Sequence, residues 1–133
     1  MDEYPGRIRL VIKFYPYKYR DFAHIAAQAA LSARSQGKFE QMHYKMLAES
    51  PKLDKASLMR YASEIGIDAK RVAADIEKMT DSATIERDKK LATDMDLFNT
   101  PALFVNGRRI LGNVPYEYLK KAIVEELDAL GKK

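Results

Sequence analysis

Ile8, Leu10, Ile12 and Phe14 alternate with Arg7, Arg9, Val11 and Lys13. A period of two predicts a half-buried strand over residues 7–15, closed by Pro16. From Asp21 the period lengthens to that of a helix. Phe22, Ile25, Ala26, Ala29, Ala30 and Ala33 recur at three- and four-residue steps, with Asp21 as a candidate cap and Gly37 as the stop. So many alanines on one face imply close approach to a neighbouring element. A second helix carries Phe39, Met42, His43, Met46 and Leu47 and ends at Ser50-Pro51. Asp54, Asp68 and Asp81 then stand where caps begin three further helices. Their apolar positions are Leu58, Ala62 and Ile65, then Val72, Ile76 and Met79, then Ile85 and Ala92.

The stretch Phe98-Asn99-Thr100-Pro101-Ala102-Leu103-Phe104-Val105-Asn106-Gly107 breaks the helical pattern. Ala102–Val105 is a short apolar run that reads as a strand buried on both faces, and Asn106-Gly107 is a strong hairpin signal because both residues accept positive φ. Arg108–Leu111 is the return strand. Pro101 has no N–H to give a ladder, so it belongs at the start of the strand or in a turn. After Gly112, Pro115 suits the first turn of a last helix. Leu119, Ala122, Ile123, Leu127 and Leu130 form its buried stripe, and Gly131 ends it.

The chain has 133 residues, 47% apolar and 32% charged, which bounds it to one ordinary globular domain. No apolar run approaches the roughly 18–20 residues of a membrane span, so no membrane partner is expected. Met1–Gly6 shows no basic start leading into an apolar segment, so no export signal is visible. The net charge of +4 is mild and the signs are interleaved. Nucleic acid is therefore not an expected partner, although Tyr15–Arg20 sets aromatics beside cations. The run Glu86–Lys90 is better explained by pairing along a solvated helix than by a binding patch.

There is no cysteine. Thiol chemistry, disulfides and Cys-ligated zinc are excluded. His24 and His43 lack metal-ligand spacing and read as helix-face residues, while Met42 and Met46 read as core filler. No metal and no cofactor are expected.

The order strand, five helices, strand, strand, helix, together with specific residues, resembles the DsbA-like branch of the thioredoxin fold. The likeness is carried by Lys13-Phe14-Tyr15-Pro16, Ser35-Gln36-Gly37-Lys38-Phe39 with Met42-His43, and Tyr61-Ala62 through Ile65-Gly66-Ile67-Asp68. It continues through Thr100-Pro101, Phe104-Val105-Asn106-Gly107-Arg108, Gly112 and Pro115-Tyr116-Glu117. The resemblance implies a truncated thioredoxin-like α/β domain of about three strands, with a helical insertion and a C-terminal helix. Residues 1–133 form a single domain on this reading. Residues 7–15, 102–111 and 115–130 make the thioredoxin-like part, and 21–97 the insertion.

The resemblance further implies a cis peptide at Thr100-Pro101 and a substrate-binding loop of Asn99, Thr100 and Pro101 facing the active site. Asn99 departs from the glycine often found there. The family's C-x-x-C pair and the strand leading to it have no counterpart in this sequence, so no catalytic residue carries over. Two outcomes are expected for the strands left without that neighbour: they join directly, or two copies pair through exposed edges as a homodimer. Three functional readings follow. The first is a disulfide oxidoreductase-like domain that is redox-inactive for want of cysteine. The second is a non-catalytic module that binds extended or unfolded peptide, or dimerises. The third is a glutathione-linked isomerase or transferase of the related kappa type, whose catalytic serine also lacks a counterpart. The family is typically periplasmic or secreted, and the compartment of this chain stays open.

Overall fold

The computed structural model describes residues 3–131. Six helices and two strands follow in the order α1 (Ala23–Ser35), α2 (Phe39–Glu49), α3 (Lys55–Glu64), α4 (Ala69–Lys78), α5 (Ser82–Asp94), β1 (Ala102–Val105), β2 (Arg108–Leu111) and α6 (Tyr116–Gly131). They form two compact units, Met1–Lys90 and Leu91–Lys133.

In the first unit α1 is central and packs against α2, α3 and α4. Ala29, Ala30 and Ala33 are wholly buried against Met42, Leu58, Tyr61, Ala62 and Val72. With only a methyl to accommodate at each alanine, the neighbouring helices approach closely, and the large side chains come from α2 to α4. Met42 and Met46 fill this core, as their spacing predicts. A second cluster joins Ala27 and Leu31 to Ile85 of α5. Two buried polar residues on α1 fix its neighbours. Gln28 accepts from the Asp81 amide at 3.0 Å and donates to Ser82 Oγ at 3.1 Å, while Ser32 donates to Asp75 at 2.6 Å. A buried amide side chain left unpaired would be costly, so these bonds register α1 against the turn that opens α5.

Asp54 and Asp68 cap α3 and α4, accepting from the amides of Ser57 at 3.1 Å and Arg71 at 3.0 Å. Asp21 does not cap α1. The cap position is Phe22, at φ 64°, with no side-chain cap bond. Phe22 is exposed, as is Leu47, so both leave the apolar stripes the sequence assigns them.

The strand predicted over residues 7–15 is not formed. Residues 8–17 carry no regular element, and among the described residues the only sheet is the pair β1–β2. A strand needs a partner for its outward N–H and C=O groups, and among the described residues no strand pairs with this segment. The alternation survives in part: Ile8, Ile12 and Phe14 are half-buried, whereas Leu10 is exposed. Side chains take over the anchoring. The Phe14 amide donates to Asp88 Oδ2 at 3.2 Å, and Lys13 Nζ lies 3.1 Å from Asp88 Oδ1. The Phe14 ring meets Phe39 edge-on at 6.2 Å.

His43 stacks on Phe39 with ring centroids 5.6 Å apart, and burial holds its imidazole below the usual 6.5. The unfolded chain therefore binds more protons than the folded one just below pH 6.5. Stability is expected to decline as pH falls through 6.5 and to level off once both forms are protonated. Thermal melts from pH 7.5 to 5 read this step, and His43→Gln should flatten it. Glu49, Asp54, Glu77 and Glu86 have lowered values, through hydrogen bonds to Lys45, Ser57, Lys55 and Lys89 respectively, so their contributions fade only at more acidic pH.

Candidate functional site: the hairpin and its groove

The second unit holds the stretch that breaks the helical pattern. β1 and β2 pair antiparallel, with Ala102 opposite Leu111, Leu103 opposite Ile110, Phe104 opposite Arg109 and Val105 opposite Arg108. Asn106 and Gly107 sit at φ 49° and 89°, the paired positive values of a type I′ turn. The turn is fastened to α6: Asn106 Nδ2 lies 3.4 Å from Glu126, and Arg108 forms an ion pair with Glu125. Hydrogen bonds with Glu125 and then Tyr118 raise the pKa of Arg108. Ile110 is buried, but Phe104 is 39% exposed, so β1 is not covered on both faces as its apolar run predicts. A two-stranded ribbon has few layers to hide behind, and α6 is what packs on β1.

The hydrogen-bond phase of the hairpin decides what its outer edge can do. The Gly112 amide donates to the Pro101 carbonyl at 3.0 Å, so Pro101 faces Gly112 as a bonded pair. Bonded and non-bonded pairs alternate along an antiparallel ladder. Leu103 and Val105 therefore turn their backbone groups inward to β2, while Ala102 and Phe104 turn theirs outward. That outer edge is not paired with any strand among the described residues.

A groove of about 360 Å³ opens where the hairpin meets the preceding loop, lined by Asp96, Leu97, Phe98, Asn99, Pro101, Arg109, Leu111 and Gly112. Of the three predicted site residues, Asn99 and Pro101 line it; Thr100 precedes the strand and is exposed. The Thr100-Pro101 peptide is cis, as is Ser50-Pro51. Sequence reasoning did not assign Leu97, Phe98, Arg109 or Leu111 to the site. The structure brings them together because the chain reverses at the hairpin. Arg109 Nη2 donates to the Asp96 carbonyl at 3.2 Å and holds the approach to the loop, where Asp96 has φ 54°. Phe98 and Leu111 are 59% and 56% exposed, an apolar floor open to solvent. Among the described residues no group of three His, Cys, Asp or Glu side chains is placed to hold a metal ion.

The DSBA-like thioredoxin domain family matches residues 6–124. The chain belongs to that family. Two solved structures agree with this DSBA-like fold. A thioredoxin-like oxidoreductase from Silicibacter pomeroyi DSS-3 superposes with a TM-score of 0.76 at 28% identity, covering 87% of this chain and 66% of that one. Oxidised BdbD from Bacillus subtilis superposes with a TM-score of 0.75 at 21% identity, covering 84% and 65%. At that identity the second likeness speaks for the fold alone.

Among curated proteins, the DSBA-like domain is 35% identical over 103 residues to the Na(+)/H(+) antiporter NhaA 3 of Salinispora tropica, 77% of this chain and 16% of that protein. It is 31% identical over 106 residues to the Na(+)/H(+) antiporter NhaA of Herminiimonas arsenicoxydans, 80% of this chain and 17% of that protein. The chain thus spans about a sixth of the length of these curated relatives.

Proposed function

We propose that this DSBA-like domain binds an extended peptide by strand addition and carries out no thiol-disulfide exchange. The carrying observation is the phase of the hairpin: the backbone groups of Ala102 and Phe104 turn outward from the β1–β2 pair, and a groove with Leu97, Phe98 and Leu111 on its wall opens at Pro101, where β1 begins. An added strand gains main-chain hydrogen bonds from that edge, and Leu97, Phe98 and Leu111 receive one apolar side chain. Asn99, Thr100 and Pro101 form the end of the site where the peptide enters. A chain without cysteine has no thiolate to attack a disulfide, so the groove serves binding alone. Being a minor part of much longer relatives also suits a docking module.

The test is titration of the full chain with a blocked peptide of alternating threonine and leucine. Ala102→Pro removes one outward N–H and spares the ladder, so binding should weaken about tenfold, the worth of one net hydrogen bond, with the fold retained. Leu103→Pro strikes an inward N–H instead and should disrupt the hairpin itself. Insulin reduction should not exceed the rate without protein. Full affinity in the Ala102→Pro variant, or accelerated insulin reduction, refutes the reading. Light scattering across micromolar concentrations tells whether the same edge is taken by a second copy.

A further inference from the structure

A second cavity, of about 380 Å³, lies in the first unit, where the irregular N-terminal segment turns into α1. Its volume is within the range of small-molecule sites, about 300–1,000 Å³. The charge on its walls is unbalanced: Lys18, Arg20 and Lys89 face the single acid Glu86. Glu86 sits 2.9 Å from Lys89 and fixes that cation on the wall. Tyr17 and Phe22 supply an apolar side. The Tyr17 ring is stacked on Tyr19 at 5.0 Å, and Arg20 lies 5.7 Å from the Tyr19 ring centre, so aromatics and cations form one ordered surface.

Two local costs converge on this cavity. Phe22 is held at φ 64°, a conformation that a bulky residue rarely adopts. His24, also on the wall, has a buried Nδ1 with no hydrogen-bond partner. A buried nitrogen without a partner and a bulky residue at positive φ both concentrate at functional sites. In addition, α1 opens here with no side-chain cap, so its positive end faces an already cationic cavity.

We propose that this cavity binds a small phosphate monoester carrying an aromatic ring. The doubly charged phosphate answers Lys18, Arg20 and Lys89 together with the uncapped helix end, and the ring lies along Tyr17 and Phe22. A bare oxyanion would leave the apolar side empty, and a monocarboxylate would leave the positive charge in excess.

The probes are AMP, phenyl phosphate, inorganic phosphate and phenylacetate, titrated into the full chain and followed through its amide resonances. At least one of the two aryl-bearing phosphates should bind tenfold or more tightly than inorganic phosphate and phenylacetate, with shifts centred on Lys18, Phe22–Ile25 and Lys89. Tight binding of AMP alone assigns a nucleotide; tight binding of both assigns a phosphate beside any ring. The double variant Lys18→Ala/Arg20→Ala should weaken binding at least tenfold. Both residues are exposed in a turn, so circular dichroism should report an intact fold. Lys55→Ala, which removes a cation paired with Glu77 elsewhere, should leave binding unchanged. Inorganic phosphate or phenylacetate binding as well as the aryl phosphates, shifts scattered over other basic residues, or full affinity in the folded double variant would overturn the proposal.

Discussion

Asp88→Ala is expected to destabilise the chain by about 3 kcal/mol, the scale for removing one partner from a buried ionic network. Asp88 is 4% exposed and answers three groups. Lys13 Nζ and Arg87 Nη2 lie 3.1 and 3.2 Å from one carboxylate oxygen, and the Phe14 amide donates to the other at 3.2 Å. Lys13 and Arg87 are partly solvated and recover water when the carboxylate goes. The Phe14 amide is half-buried and does not recover it so easily, which is where much of the loss arises. Because residues 8–17 have no ladder to hold them, the effect should also be local. Trypsin cleavage after Lys13 should accelerate more than cleavage after Lys55. A urea midpoint equal to that of the parent chain would show that the segment is held by packing of Phe14 alone.

Tyr61→Ala should cost about 4 kcal/mol, within the range for emptying a buried aromatic site. Tyr61 is fully buried at the junction of α2, α3 and α1. Its ring fills the space that the alanines of α1 leave, and its hydroxyl donates to the Lys52 carbonyl at 2.8 Å. Arg60 and Lys45 lie over the ring, 5.2 and 5.6 Å from its centre, in cation–π contact. Tyr61→Phe keeps the ring and gives up the hydroxyl, so it should cost only about 1 kcal/mol, one net hydrogen bond. Urea denaturation of the two variants separates packing from hydrogen bonding. Equal losses would mean that the Lys52 carbonyl, not the cavity, dominates.

The peptide edge and the anion cavity belong to different units and fail separately. Ala102→Pro acts on the ladder of the hairpin, and Lys18→Ala/Arg20→Ala acts on the turn before α1. Loss of peptide binding with retained phosphate binding, or the reverse, assigns each result to its own site.

What the sequence determined by itself was local. The 3.6-residue period placed the helices, aspartates at 54 and 68 announced caps that the structure forms, and Asn106-Gly107 announced a type I′ hairpin. These signals are legible because each concerns residues a few positions apart, where backbone geometry and side-chain reach leave few choices. The absence of cysteine was equally legible, since it is a matter of composition. What only the tertiary structure decided was non-local. Residues 7–15 have the alternation of a strand, but a strand exists only when another backbone lies alongside, and here a carboxylate 74 positions away takes the Phe14 amide instead. The cap of α1 likewise moved from Asp21 to Phe22, a displacement that no local preference predicts. Most of the groove was hidden for the same reason. Asn99 and Pro101 could be named from one motif, whereas Leu97, Arg109 and Leu111 meet them only because the hairpin folds the chain back on itself.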